Sequence, residues 1–271
     1  MPELPEVETT CRGISPQLAG TTLRAVTIRE PRLRWPIPPE LPALLAGRTV
    51  RSVSRRAKYL LIDFEHGTLI VHLGMSGSLR FVPPGTTPEK HDHVDIDLGQ
   101  TVLRYRDPRR FGAMLWQQGP VDAHPLLASL GPEPLSDAFD GSVLYQATRR
   151  KGSAIKLVIM DNHVVVGVGN IYANESLFYA GIHPARAANS LSQDECQRLA
   201  AQIKLVLARA IDAGGSSLRD FMDAKGKPGY FQQSYKVYGR AGLTCHDCGS
   251  LIAELRQGQR SSCFCPHCQP L

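Results

Sequence analysis

Two cysteine pairs near the end of the chain, Cys245-x-x-Cys248 and Cys265-x-x-Cys268, constrain its fold more than any other feature. Pairs at this spacing put four thiolates around one tetrahedral ion and leave no position for water. That is the chemistry of a structural Zn²⁺ site, one ion per chain. The stretch between the pairs suits a β-hairpin, and Arg256 and Arg260 on it are able to reach an anion. A finger this small has little core, so metal binding supplies its folding energy. Cys263 lies two before Cys265 and is a spare, while Cys11 and Cys196 fall in helical patterns and read as core. Seven cysteines, four of them in knuckles, speak for metal rather than a disulfide framework.

The remaining chain divides by pattern. A length of 271 residues suggests two domains with a small appendage. Up to about residue 120, short β-branched runs alternate with Pro and Gly turns. They are Thr22–Arg29, Thr49–Ser54, Tyr59–Phe64, Thr68–His72, Ser78–Val82, Val94–Leu98, Thr101–Tyr105 and Ala113–Gln117. Many short strands at close intervals predict an antiparallel β-sandwich or barrel. From Pro132 the periodicity becomes helical, with helices expected over Gly141–Arg150, Ser153–Met160 and Asn170–Tyr179. Ser192-Gln193-Asp194-Glu195 is a capping box opening a long helix that Gly214-Gly215 ends. The fold class is therefore α+β and multidomain. Its expected parts are an N-terminal sandwich with an N-terminal helix (1–120), a hinge (121–134), a helical domain with a polar loop (135–234) and a zinc finger (235–271).

The first eight residues, Met1-Pro2-Glu3-Leu4-Pro5-Glu6-Val7-Glu8, carry three carboxylates and two prolines. One reading is a helix start, because Pro5 suits the first turn and acidic groups suit the positive end of the helix dipole. Leu4, Val7, Cys11, Ile14 and Leu18 keep helical spacing, and Pro16 is expected to split the helix near residue 13. Glu3 and Glu6, three apart, face one side. The other reading is chemical. Removal of Met1 would leave Pro2 as a secondary amine, a group titrating far below lysine at about 7.7–8.0. Such an amine condenses with an aldehyde to a permanently cationic iminium, and Glu3 beside it can shuttle protons.

A net charge of +6 and a pI near 9.0 suit an anionic partner. Basic groups recur at turns: Arg55-Arg56 with Lys58, Arg104 with Arg106, Arg109-Arg110, Arg149-Arg150-Lys151 and Lys156. Scattered surface charge explains most of them. Arg109-Arg110-Phe111 is different, since arginine beside an exposed aromatic can enter a base stack and hold it open. Met75 on Gly74-Met75-Ser76-Gly77 is either a similar wedge or a core methionine. Val166-Gly167-Val168-Gly169-Asn170 leads into a helix and offers backbone N–H groups to a phosphate, or is a plain packing turn. Asn170 either caps that helix or touches a ligand. His91-Asp92-His93 lacks a third metal ligand nearby and suits phosphate contact or strand pairing. No apolar run has membrane length, and the acidic start is unlike a signal peptide, so a soluble intracellular protein is expected.

Joined, these motifs resemble the bacterial formamidopyrimidine-DNA glycosylases, also called 8-oxoguanine DNA glycosylases. The resemblance rests on Pro2–Glu8, Arg56–Leu60, His72–Gly77, His91–Val94, Asp107–Gly112, Val166–Tyr172, Lys227–Phe231 and the cysteine hairpin. It implies a β-sandwich, a helix–two-turn–helix domain and a zinc finger, with duplex DNA lying in the cleft between the halves. The implied enzyme flips out an oxidised purine or accepts an abasic site, removes the base, and cleaves the strand by β,δ-elimination through a Pro2 Schiff base. Pro2, Glu3, Lys58 and Arg260 would be catalytic, with Glu6 in support. Met75, Arg109 and Phe111 would fill the void left by the flipped base. His72, His91, Arg110, Lys151 and Asn170 would contact DNA, and the loop Ser217–Tyr235 would close over the flipped base. The resemblance also implies a monomer in the bacterial cytoplasm, drawn to the nucleoid by its substrate. Two rivals make different demands. An endonuclease VIII-like enzyme would prefer oxidised pyrimidines, and a non-catalytic zinc-finger protein would bind DNA without forming a covalent adduct.

Overall fold

The computed structural model describes residues 2–216 and 230–271. They form two compact units. One runs through Ala128 and takes in the segment Ala213–Tyr230; the other comprises Ser129–Asp212 and Phe231–Leu271.

The first unit opens with helix α1 (Leu4–Leu18), followed by strand β1 (Ala25–Ile28) and a short helix α2 (Leu41–Leu45). Seven strands complete it: β2 (Ser52–Arg56), β3 (Tyr59–Phe64), β4 (Gly67–His72), β5 (Ser78–Val82), β6 (Asp92–Asp97), β7 (Val102–Arg106) and β8 (Ala113–Gln117). They make two four-stranded antiparallel sheets, ordered β1-β6-β7-β5 and β2-β3-β4-β8. Alternating residues meet in one core, where Leu60, Ile62 and Val71 of one sheet join Leu79, Ile96 and Leu103 of the other. Val7, Cys11, Ile14 and Leu18 of α1 enter the same core, so the residues at its N-terminal end are anchored by four apolar side chains on one helix face.

Pro16 does not split α1. It removes only one hydrogen bond, in the last turn. Buried Ile14 and Leu18 hold that turn, and the Ala19 N–H closes it on the Ser15 carbonyl at 2.9 Å. The helix α2 is too short, at five residues, to show a period in sequence.

The second unit holds α3 (Gly141–Thr148), α4 (Ile155–Ile159), α5 (Asn170–Ala180), α6 (Gln193–Asp212) and the hairpin β9 (Ala253–Gln257) with β10 (Arg260–Phe264). Residues Ile171–Phe178 of α5 are all buried, as befits a helix packed on every side. The capping box at α6 forms as expected: the Ser192 N–H donates to Glu195 at 2.8 Å and the Glu195 N–H donates to the Ser192 hydroxyl at 3.2 Å. Gly214 and Gly215 follow the helix with φ of +74° and +81°. The finger is tied to the helices by hydrogen bonds to both its backbone and a side chain. The Cys263 N–H donates to Asn174 of α5 at 2.8 Å, and the Lys156 ammonium donates to the Ser261 carbonyl and Ser262 hydroxyl, both at 2.7 Å.

Candidate active site and nucleic-acid interface

The N-terminal residues meet at the start of α1. Pro2 is buried, and Glu3 and Glu6 are each 2% exposed. Glu3 is the N-cap, and Glu6, one turn on, returns a carboxylate oxygen to the Glu3 N–H at 2.8 Å. The other Glu6 oxygen accepts the Ser216 N–H at 2.7 Å. Gly215, with φ +81°, lies so close that a Cβ there would sit 3.1 Å from Glu6. Helix capping and a candidate reaction centre thus use the same carboxylates, as the helix reading and the chemical reading each require.

A strut leads from α1 to the next cation. Glu8 pairs with Arg55 at 2.9 Å, and Arg55 donates to the Ala57 carbonyl at 2.8 Å. Ala57 takes φ +52° in the two-residue turn from β2 to β3, and that turn presents Lys58. Lys58 is 9% exposed. The β3–β4 register sets Tyr59 opposite His72, with ring centroids 4.9 Å apart. Burial, and then the Lys58 and Arg34 charges, push the His72 pKa down to about 4. The ring is therefore neutral at pH 7. Its Nδ1 accepts the Gly74 N–H at 3.1 Å, which leaves the proton on Nε2 as a donor.

Beyond His72, three side chains stand out from the surface. Met75 is 37% exposed and Phe111 43%, and the Arg109 guanidinium lies 5.0 Å from the centre of the Phe111 ring. Large exposed apolar groups on tight loops are costly unless something covers them. Met75 is therefore not a core methionine. Arg32, Arg34, Arg109, Arg110 and Phe111 line an open hollow of ≈ 580 Å³ beside them. Arg110 adopts φ +56° and pairs with Glu30 at 3.4 Å. Hydrogen bonds from Arg32, and then the Arg110 charge, hold the Glu30 carboxyl down at about 2. His91 is half-buried and packs edge-on against His93, whose Nε2 contacts the Asp107 carbonyl at 2.8 Å.

In the second unit, Asn170 is the first residue of α5 but does not cap it; Gly169 occupies that position. Its Oδ1 is buried and meets no hydrogen-bond partner among the described residues. Gly167, with φ +81°, shapes the turn before it. Lys151 pairs with Asp161 at 3.1 Å. Arg260 is exposed at the start of β10. The β9–β10 hairpin turns through Gly258 (φ +51°) and Gln259 (φ +64°), both left-handed as a type I′ turn requires.

The thiols of Cys245, Cys248, Cys265 and Cys268 lie within 4.8 Å of one another. Cys248 and Cys265 are 3.4 Å apart, and Cys245 and Cys268 are 4.0 Å apart. Zn–S bonds of about 2.3 Å in a tetrahedron put sulfurs about 3.8 Å apart, so the four fit one Zn²⁺. Cys263 is outside this set; its Sγ lies 3.9 Å from Glu254.

Sequence patterns gave no hint of Ser216, Arg34 or Arg55 in these roles. Ser216 and Arg34 act through spatial neighbours that no spacing encodes, and Arg55 looked like one more surface charge. Residues 217–229 of the expected capping loop lie outside the described residues. Its end is described: Tyr230 pairs with Ser216 across a β-bridge, and Phe231–Ser234 form a 3₁₀ turn.

A sandwich with a buried acidic N-terminus, joined in one chain to a helical unit and a four-thiol finger, is the architecture of a zinc-finger DNA repair glycosylase. Residues 1–114 match the formamidopyrimidine-DNA glycosylase N-terminal domain, 130–222 its H2TH domain, and 242–271 the zinc finger found in FPG and IleRS. The formamidopyrimidine-DNA glycosylase of Laribacter hongkongensis is 62% identical over 271 residues, covering 99% of this chain and 100% of that protein. A Lactococcus lactis FPG mutant in complex with Fapy-dG-containing DNA is 33% identical and superimposes with a TM-score of 0.93, covering all of both chains. The wild-type L. lactis protein, in complex with DNA containing an oxidized pyrimidine, gives 33% and 0.92, again over both whole chains. The chain belongs to the formamidopyrimidine-DNA glycosylase family.

Proposed function

We propose that this chain is a base-excision DNA glycosylase that removes 8-oxoguanine and formamidopyrimidines from duplex DNA and then cleaves the strand at the abasic site. The observation that carries the chemistry is the buried cluster of Pro2, Glu3 and Glu6 at the head of α1.

With Met1 removed, the Pro2 nitrogen attacks C1′ of the flipped nucleotide, and the glycosidic bond breaks with its electron pair going to the base. The sugar ring opens as Glu3 gives a proton to O4′, leaving a C1′ iminium on Pro2. The iminium acidifies C2′, so loss of that proton expels the 3′ phosphate, and a second elimination expels the 5′ phosphate. Lys58 assists the first departure and Arg260 the second, each by offsetting charge on the leaving phosphate. Hydrolysis then frees Pro2. The product is a one-nucleotide gap with a phosphate at each end. Glu6 fixes the Glu3 backbone, and His72 donates Nε2–H to a flanking phosphate. Asn170, His91, Arg110 and Lys151 grip other phosphates. Met75, Arg109 and Phe111 fill the vacated stack, with Arg109 facing the opposite cytosine. A zinc ion on the four thiols supplies the folding energy of the finger that carries Arg260. In this reading residues 1–120 carry the chemistry, 121–134 are the hinge, and 135–234 and 235–271 grip DNA. The protein works as a monomer in the bacterial cytoplasm, recruited to the nucleoid by its substrate.

An oligonucleotide panel tests the substrate class. Duplexes with 8-oxoguanine or formamidopyrimidine opposite cytosine should be cut fastest, to ends that both carry phosphate. Because a family member is seen on an oxidized pyrimidine, slower cutting of such lesions is compatible. Faster cutting of pyrimidine lesions would move the chain to the endonuclease VIII-like class. Binding with no cleavage would make it a non-catalytic binder.

A further inference from the structure

The side chains proposed to fill the void come from two separate loops, one carrying Met75 and the other Arg109 and Phe111. The Asp107 carboxylate, fully buried, touches both. One of its oxygens accepts the Ser76 hydroxyl at 2.7 Å. The other accepts the Gly112 N–H at 2.9 Å and the Tyr105 hydroxyl at 3.1 Å. Ser76 then accepts the Arg109 N–H at 3.1 Å, so the residue after Met75 and the first residue of the Arg-Phe pair share one hydroxyl. The Asp107 main chain is fixed as well, accepting from Arg110 at 3.2 Å and meeting His93 Nε2 at 2.8 Å through its carbonyl.

The two loops are also in backbone contact. A Cβ on Gly74 would come within 2.4 Å of the Phe111 backbone. A Cβ on Gly112 would sit 2.6 Å from the His72 carbonyl and collide with the Tyr105 hydroxyl. Nothing else in the described network spans both loops with a charged acceptor. Buried carboxylates accepting several donors make stronger and stiffer hydrogen bonds than neutral groups.

We propose that Asp107 is a positioning residue for base extrusion: it locks Met75, Arg109 and Phe111 into one preassembled wedge before DNA arrives. It touches neither the sugar nor the base. It acts only through the three wedge side chains, and the inference rests on their proposed role in filling the void.

Asp107→Asn keeps the shape but not the network. The amide oxygen can still take Gly112 and Tyr105. The amide nitrogen then faces the Ser76 oxygen, which already accepts from Arg109, and the Ser76 proton loses its acceptor. Misplacement of a positioned group by about 1 Å commonly costs of order 100-fold in rate. Single-turnover excision of 8-oxoguanine is measured for wild type, Asp107→Asn, Met75→Ala/Arg109→Ala/Phe111→Ala, and the combined variant, with thermal melting recorded for each. The expected result is slowing of about 10- to 100-fold by Asp107→Asn in the wild-type background and almost none in the Met75→Ala/Arg109→Ala/Phe111→Ala background, where no wedge side chain is left to position. Any loss of melting temperature should be the same in both backgrounds. An equal slowing in both backgrounds overturns the proposal, as does a wild-type rate for Asp107→Asn. A wild-type rate for Met75→Ala/Arg109→Ala/Phe111→Ala instead removes the wedge reading itself, and the inference with it. Ser76→Ala keeps Asp107 and cuts only the strap; if Asp107→Asn fails to fold, Ser76→Ala takes its place in the same cycle, with a smaller slowing expected under the same criteria.

Discussion

The Glu6 carboxylate reaches the backbone of Ser216, 210 residues away in sequence, at 2.7 Å, while its other oxygen holds the Glu3 N–H at 2.8 Å. One buried side chain therefore ties the head of α1 to the root of the segment that follows α6. A carboxylate can accept from both N–H groups; a glutamine side chain can accept from only one and must aim its NH₂ at the other. Glu6→Gln is expected to lose about 1–3 kcal/mol of stability, the cost of a buried unsatisfied donor. Because the lost contact also fixes Glu3, Schiff-base formation should slow by roughly 10-fold or more. Urea unfolding and the rate of borohydride trapping check the two effects separately. Wild-type values in both would show that Glu6 holds neither neighbour.

His72 makes a pH prediction with a definite sign. Its folded pKa lies at about 4 against 6.5 for a free histidine, through burial and then the Lys58 and Arg34 charges. Below pH 6.5 the unfolded chain takes up a proton that the folded chain refuses. Stability from this group is whole above that pH, falls as pH drops towards 4, and then levels off. The loss reaches up to ~3 kcal/mol. His72→Gln should flatten this part of the stability curve between pH 6.5 and 4. An unchanged curve, or an NMR titration of His72 near 6.5, would show that the ring is not held neutral.

The finger has a sharp cysteine test. One zinc per chain is expected by metal analysis, and Cys248→Ser or Cys265→Ser should lose it together with strand cleavage. Cys263→Ser should keep zinc, because Cys263 stands outside the four-thiol set and is held by its N–H to Asn174. Loss of zinc from Cys263→Ser alone would reassign the third ligand.

The parts of this protein that were legible in its sequence are those with local causes. The cysteine knuckles, the capping box at Ser192–Glu195, the alternation in Val94–Leu98 and the glycines after α6 each follow from spacing or backbone freedom within a few residues. Pro16 misled, because its cost in a last helical turn is small beside the burial of Ile14 and Leu18. Asn170 was ambiguous between cap and ligand contact until Gly169 proved to hold the cap. Asp107 and Ser216 were invisible for another reason. Ser76, which links Asp107 to the Met75 loop, and Glu6, which holds Ser216, lie 31 and 210 residues away in sequence, and only the tertiary fold brings them together.

The central claim is that Pro2, once freed from Met1, is the nucleophile. Borohydride reduction traps a C1′ iminium as a stable amine, joining protein to DNA. Wild-type protein incubated with a duplex bearing 8-oxoguanine opposite cytosine should yield a covalent complex whose modified residue, by peptide mass analysis, is Pro2. Pro2→Gly with Met1 retained should yield none. No adduct with the wild-type protein, or undiminished trapping by that variant, would contradict Pro2 as the nucleophile.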